Sequence, residues 1–333
     1  MERQGLFIGL VTLDLAYLVD DLPNPNQKML AQDFTIAAGG PATNAAVAFS
    51  YLGNRSWVMG RVGIHPAAQL IRTDLEQYNV ELIDIAPDQT ASPTISSILI
   101  RKATGDRTVV YTTSAARMGH AALTSLNSCT NAGVAFGPDG LPSTLRESPN
   151  AAPLPHPHPS ASICVHLRSL SQHHILLIDG HQMSLSEEAA NHAKANSIPV
   201  VVDGGSWKPG FEKVLALTDY AICSADFFPP DCKNSTEVMD YLRSLHIPHI
   251  AITQGAKPIL YSSNKICGEL PVPQIQPVDT LGAGDIFHGA FCDAILRMGF
   301  QEALGEAGAI AARSCLSFGT RAWMQSNEKH AAE

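Results

Sequence analysis

Short apolar runs along this chain alternate with segments whose apolar positions recur at helical spacing. Residues 5–13 read as a buried strand that ends at Asp14. Residues 39–52 change period: Gly-Gly-Pro is followed by Ala45, Ala46, Ala48, Phe49 and Leu52 on a helix. Residues 57–60 predict a second strand, 65–79 a helix, and 96–100 with 108–111 a hairpin around Ala103-Thr104-Gly105-Asp106. Beyond residue 160, apolar runs at 175–179, 200–203, 220–223 and 250–253 are separated by helical segments around 186–196, 210–217 and 235–246. Near the C-terminus, Phe287, Ala290, Phe291, Ala294, Ile295 and Met298 mark one more helix. This alternation predicts an α/β fold with a mostly parallel sheet covered by helices on both faces. Ligand sites in such sheets lie beyond the carboxyl ends of the strands, where Asp14, Asp179, Asp203, Ser224 and Thr253 fall.

Residues 127–162 break the pattern. Asn, Ser, Pro, Gly and Ala dominate, ending in Pro153-Leu154-Pro155-His156-Pro157-His158-Pro159, a composition with little to bury that reads as a loop insert. The His-Pro alternation is read as solvated chain rather than as a metal site. Residues 325–333 read as a polar tail. The 333 residues are 45% hydrophobic, enough for a large core and a main domain over 1–324. A net charge of -9 without a Lys/Arg cluster argues against a nucleic-acid partner. Cysteines 129, 164, 223, 232, 267, 292 and 315 contain no Cys-x-x-Cys, so reduced thiols in a cytoplasmic protein are expected and a zinc site is not. Acidic Asp14, Asp20 and Asp21 interrupt the first apolar run, against a signal peptide, and no run approaches the ~18 apolar residues of a membrane span.

The chemistry concentrates in Asp279-Thr280-Leu281-Gly282-Ala283-Gly284-Asp285, which runs directly into the last helix. Unpaired N–H groups and the helix dipole favour an anion at such an N-terminus, and glycine lets it approach the backbone closely. A carboxylate beside a phosphate cradle repels the phosphate. Asp285 therefore reads as a base that takes the proton from a hydroxyl attacking a phosphoryl group. A dinucleotide fingerprint is a poor match, because Phe287 stands at its third glycine, and no P-loop motif occurs.

These residues resemble the ribokinase-like (PfkB) carbohydrate kinases. VDTLGAGDIFHGAF, residues 278–291, matches the C-terminal signature of that family, and GGPATNAAVAFSYLG, residues 39–53, matches the N-terminal glycine signature. Residues 11–34 and 92–113 look most similar to the ketohexokinase and sulfofructose kinase branches. The resemblance implies a three-layer α/β/α fold with a small β-sheet lid from about 12–36 and 92–113, a lid that in relatives often pairs two subunits. It implies an ATP- and Mg2+-dependent transfer to a small sugar, a fructose-like ketose on the branch resemblance. Asp285 would be the base, and Gly282, Ala283 and Gly284 would meet the transferred phosphoryl group. Asp14, Gly39, Gly40 and Asn44 match positions that hold sugar hydroxyls; a strand-end turn for Asp14 and a helix amide for Asn44 are the structural alternatives. Lys28 and Arg107 fall in the lid segments, either to neutralise a substrate anion or the ATP phosphates, or as solvated charges.

On the nucleotide side the resemblance points to Thr253, Gly255, Gly282, Gly284, Gly319 and Ser224. Pro258 replaces a usual glycine after Thr253-Gln254-Gly255. Ser224 and Phe227 stand where many relatives carry the Asn and Glu of a metal-phosphate Asn-x-x-Glu motif, so the magnesium must be held through water or other carboxylates. A monovalent cation (K+) near Asp279 and the loop 314–321 is a further implication. His181 stands where sulfofructose kinase-like relatives carry an arginine, which favours an uncharged sugar, or an anionic sugar held mainly by Lys28 and Arg107; a plain loop residue is the structural alternative for His181. A nucleoside or sugar-phosphate kinase of the same fold, and a catalytically silent sugar-binding protein, are the competing readings.

Overall fold

In a computed structural model, residues 2–112, 169–264 and 266–325 are described. The segment expected to be an insert, 127–162, lies outside them, as do Thr113 and the tail from 326 onward. Thirteen strands among the described residues sort into two sheets. The large sheet runs β13-β12-β11-β10-β9-β8-β1-β4-β5. Its strands β1 (Gln4–Ile8), β4 (Arg55–Gly60), β5 (Val80–Asp84), β8 (Ile175–Ile178), β9 (Val200–Gly204), β10 (Tyr220–Ser224) and β11 (His249–Gln254) are parallel, and β12 (Lys257–Ser263) and β13 (Ile266–Leu270) add an antiparallel edge.

Side chains alternate across these strands and build one core on each face. Phe7, Leu177 and Val201 point to one side, where they meet α1 (Pro41–Tyr51), α2 (Pro66–Gln77), α6 (Ala283–Ile295), α7 (Phe300–Ser314) and α8 (Ala322–Gln325). Leu6, Ile8, Leu176 and Val202 point to the other, against α3 (Met183–Ala195), α4 (Phe211–Leu215) and α5 (Ser235–Ser244). The result is the three-layer α/β/α arrangement expected from the alternation. The second sheet, order β3-β2-β6-β7, joins β2 (Thr12–Val19), β3 (Asp33–Gly39), β6 (Thr94–Arg101) and β7 (Arg107–Tyr111). It forms from the two segments expected to be a lid. Its inner residues Ala16, Leu18, Ile98 and Ile100 pack on Leu281 and Phe318, which flank the C-terminal glycine turn.

The apolar run at 5–13 is not one strand, and this corrects the sequence expectation. β1 stops at Ile8, and the chain crosses into the lid sheet at Thr12, so Asp14 lies within β2 rather than at a strand end. The buried carboxylate of Asp179 is the cause. A Cβ at Gly9 would overlap it, and its Oδ2 accepts the Leu10 N–H at 2.9 Å, taking that group out of any ladder. The same oxygen accepts from Ala42 N–H at 3.2 Å in the first turn of α1, while Oδ1 accepts from His181 N–H at 2.9 Å. Burial acts to raise the Asp179 pKa, but hydrogen bonds from the His181 ring and these backbone donors outweigh it and leave the group below its ordinary value. Asp179→Ala is expected to strand several buried N–H groups and to lower unfolding stability by about 3 kcal/mol. Chemical denaturation checks this, and a loss below ~0.5 kcal/mol would show that the carboxylate does not hold the junction.

Candidate active site

Each of the two glycine turns ends in a helix N-terminus, and the two meet. α1 begins after Gly40, whose φ of 97° is left-handed and whose Cβ would overlap the Leu10 carbonyl. α6 begins after Gly282, φ 69°, where a Cβ would lie 2.8 Å from Thr320 Cγ2. Across the junction Asn44 Nδ2 donates to Asp285 Oδ2 at 2.9 Å. Two residues 241 apart in sequence thus share one hydrogen bond. Asp14 completes this side from β2. Gly39 has no side chain because a Cβ there would overlap the Asp14 carboxylate, whose Oδ1 accepts from Thr12 Oγ1 at 2.7 Å. Burial raises the pKa of Asp14 against hydrogen bonds from Thr12 and Ser96, and the nearby Asp285 charge pushes the same way. Burial likewise raises Asp285, opposed by the Asn44 hydrogen bond and by His288. Both are acids tuned toward holding a proton, as a base near neutrality requires.

On the other side of the turn lies a cleft of about 580 Å³. Ser224, Thr253 and Gly255 line it with Ala283, Gly284, Phe287 and Gly308, and Asp226 stands at its wall. The Ala283 N–H turns back to Thr280 O at 3.3 Å, so Gly284 and Asp285 carry the N–H groups that α6 leaves for an anion. A Cβ at Gly284 would meet nothing within 4 Å, which leaves the backbone open to close approach. A larger hollow of about 980 Å³ lies among Arg55, Arg72 and Glu81 at the opposite, amino end of the strands, away from both turns. The smaller cleft is the candidate site because the first turn of α6, which carries the buried Asp285 and no side-chain cap, borders it at Ala283 and Gly284.

Other candidates fall differently. Arg107 lies on the cleft wall rather than among the residues around Asp14; its Nη1 donates to Thr280 Oγ1 at 3.2 Å and ties the lid to the turn. Lys28 is exposed on the β2–β3 connection. Gly319 is absent from the cleft lining. Its N–H donates to Asp279 Oδ2 at 2.8 Å, and the other Asp279 oxygen accepts from Leu281 N–H at 2.8 Å, so Asp279 pins the turn to the C-terminal loop. Phe227, at the position of the missing Glu, is a core side chain packed at 89° on Phe211. No group of three His, Cys, Asp or Glu gathers as a metal cluster among the described residues.

Two features escaped the sequence reading. His288, one turn after Asp285, has Nδ1 2.7 Å from Gly284 O and Nε2 3.2 Å from Ile222 O. Asp203 Oδ2 lies 3.5 Å from the same Nδ1. Burial lifts Asp203 to about 6, against the pull of His288. Arg321, buried, reaches Asn44 from the C-terminal loop. Helical spacing on α6 puts His288 on the Asp285 face, and Asp203 falls at the end of an apolar run, but no local pattern marks Arg321.

Comparison with known proteins agrees with this geometry. Residues 4–134 and 159–327 match the pfkB family carbohydrate kinases. The chain is 23% identical to the ribokinase of Bacillus subtilis over 97% of its own length and 96% of that protein. It is 28% identical to mouse (Mus musculus) ketohexokinase over 33% of this chain and 37% of that one. Among solved structures, Arabidopsis thaliana ribokinase complexed with ribose and ATP superposes with a TM-score of 0.67 at 16% identity, covering 99% of this chain and 98% of that one. The chain therefore belongs to the PfkB family of carbohydrate kinases, phosphotransferases with an alcohol group as acceptor.

Proposed function

We propose that this protein transfers the γ-phosphoryl group of ATP to a hydroxyl of a small, uncharged sugar, with a fructose-like ketose as acceptor. The carrying observation is that Asp285 joins two half-sites. It is bonded to Asn44 on the side of Asp14, Gly39 and Gly40, and it opens the helix whose first turn borders the 580 Å³ cleft. The sugar hydroxyl loses its proton to Asp285 as its oxygen bonds to the γ-phosphorus. The bond from that phosphorus to the β-bridging oxygen breaks, and ADP departs. The N–H groups of Gly284 and Asp285 meet the charge that develops on the transferred group. The cleft fits a nucleotide by its small and apolar lining, and ribokinase complexed with ribose and ATP shares this fold. Mg2+ bound with the nucleotide would neutralise phosphate charge, and Asp226, a carboxylate lining the cleft, would help hold it in place of the absent Asn-x-x-Glu.

An uncharged acceptor is favoured by His181, whose Nδ1 is engaged by Asp179 at 3.1 Å, and by Lys28, which is exposed. The ketose reading draws on the ketohexokinase match; the match with ribokinase along nearly the whole chain favours ribose as the second reading. The lid's exposed Phe34, Ile36, Val110 and Tyr111 support a homodimer paired through that sheet.

ADP release measured with ATP and a panel of fructose, ribose, sulfonated and phosphorylated sugars and nucleosides is expected to respond most to fructose. A response to ribose alone would replace the acceptor, and no response to any would end the kinase reading. Asp285→Asn is expected to lower kcat by about 10³-fold with ATP affinity kept. Since the base works deprotonated and its pKa is raised, kcat/KM should fall as pH drops through a value above the usual ~3.9. A flat profile down to pH ~4 would remove Asp285 from that role. Light scattering should report a dimer, which a charge placed at Phe34 should split; a monomeric wild-type protein at micromolar concentration would contradict the pairing.

A further inference from the structure

Arg321 lies two residues past Gly319 and is 7% exposed. Its guanidinium joins four parts of the fold. Nη1 donates to Asn44 Oδ1 at 2.9 Å and to Thr320 Oγ1 at 3.0 Å. Nη2 donates to Ala38 O at 2.6 Å, just before Gly39-Gly40, and to Asp74 Oδ2 on α2 at 3.1 Å. The guanidinium carbon stands 5.4 Å from the centre of the Tyr78 ring. Nε is buried and makes no hydrogen bond, so the group is not placed merely to satisfy its own donors.

The bond to Asn44 has a directional consequence. A carboxamide has an accepting end and a donating end. With Arg321 at its oxygen, the Asn44 nitrogen must face the other way, toward Asp285 Oδ2. A guanidinium at one end and a carboxylate at the other leave one amide orientation. Thr320, which takes the second Nη1 bond, packs its methyl group against Gly282. One dipeptide therefore touches both glycine turns.

We propose that Arg321 is a positioning residue for phosphoryl transfer: it locks the Asn44 carboxamide in the orientation that donates to Asp285, and so holds the base carboxylate in place. This rests on Asp285 being the base. Besides Asn44, the charged groups facing Asp285 are Asp14 from β2, Asp179 beyond β8, Asp203 on β9, His288 on its own helix and Arg107 from the lid. Of the forces on the Asp285 carboxyl, the Asn44 bond is the leading one that opposes burial. Burial already raises this carboxyl, and without a fixed donor it acts with less opposition, so the base holds its proton more tightly still.

The test compares Arg321→Lys, Arg321→Met, Asp74→Asn and Asp285→Asn in the full chain. The readouts are kcat, KM for ATP, the pH profile of kcat/KM and thermal unfolding. Lysine keeps the charge but cannot reach Asn44, Ala38 and Asp74 together. Arg321→Lys should fold and lose about 10-fold in kcat with KM for ATP unchanged, and its acid limb should move to higher pH. Arg321→Met should lose more if it folds; if it does not, the lysine variant decides. Asp74→Asn removes an anchor of Arg321 without touching Asn44, and should cost stability while leaving the acid limb in place. A folded Arg321→Lys with wild-type kcat and acid limb would overturn the proposal. So would Arg321 variants that differ from Asp74→Asn in no readout, since a purely structural arginine behaves that way. If Asp285→Asn remains active, the base assignment itself fails; if it is dead while Arg321→Lys behaves as wild type, only the positioning role fails.

Discussion

The site depends on how closely α1 and α6 approach. A Cβ at Gly289 would overlap the Ala45 carbonyl and stand 2.8 Å from Ala48 Cβ, so only a glycine permits the observed contact. The α1 residues that meet Gly289, Ala45 and Ala48, are both at 0% exposure. Residue size at this seam therefore sets the separation of the helices, and that separation brings Asn44 within 2.9 Å of Asp285. The small residues of the two signatures have a packing role as well as a role at the ligand.

The same seam brings two helix N-termini to one place, each favouring negative charge. The fold treats them differently. At α1 the buried Asp179 carboxylate accepts from Ala42 N–H, so the protein supplies the anion itself. At α6 no side chain caps the helix, and the first-turn N–H groups open toward the cleft. Under the proposed function, an acceptor at α1 would meet an already neutralised helix end, and a phosphoryl group at α6 an uncapped one. Asp285 stands in the uncapped turn, where the helix dipole favours its anion and burial opposes it. His288 and Asp203 lie nearby, with Nδ1 and Oδ2 3.5 Å apart.

Much of this was legible in the chain because the signals are local. Helical spacing marks α1 and α6, the seven-residue turn marks the start of α6, and the alternation beyond residue 160 gives the parallel sheet. The reading failed where tertiary contacts decide. Nothing within residues 5–13 shows that Asp179 will divide the run between two sheets. The edge strands β12 and β13 carry polar residues at half-exposed positions, so their apolar periodicity is weak. Arg321 resembles any arginine of a C-terminal loop, and its partner Asn44 is 277 residues away. Side chains whose role is to orient other side chains leave no periodicity, because their spacing follows the fold rather than a helix or strand.

The lid adds a coupling between the half-sites that does not pass through Asp285. Thr280 Oγ1 donates to Gly105 O at 3.3 Å and accepts from Arg107 Nη1 at 3.2 Å, so one hydroxyl links both sides of the lid tip to the glycine turn. Leu281, the next residue, packs under the inner lid face with Phe318. The lid strand β2 carries Asp14, and Arg107 lies on the cleft wall. Displacing the lid would thus move Asp14 and Arg107 together, and would break contacts to the glycine turn that opens α6. Under the proposed function, a lid so connected would exclude water only when both halves are assembled, the condition under which transfer to a hydroxyl outcompetes transfer to water.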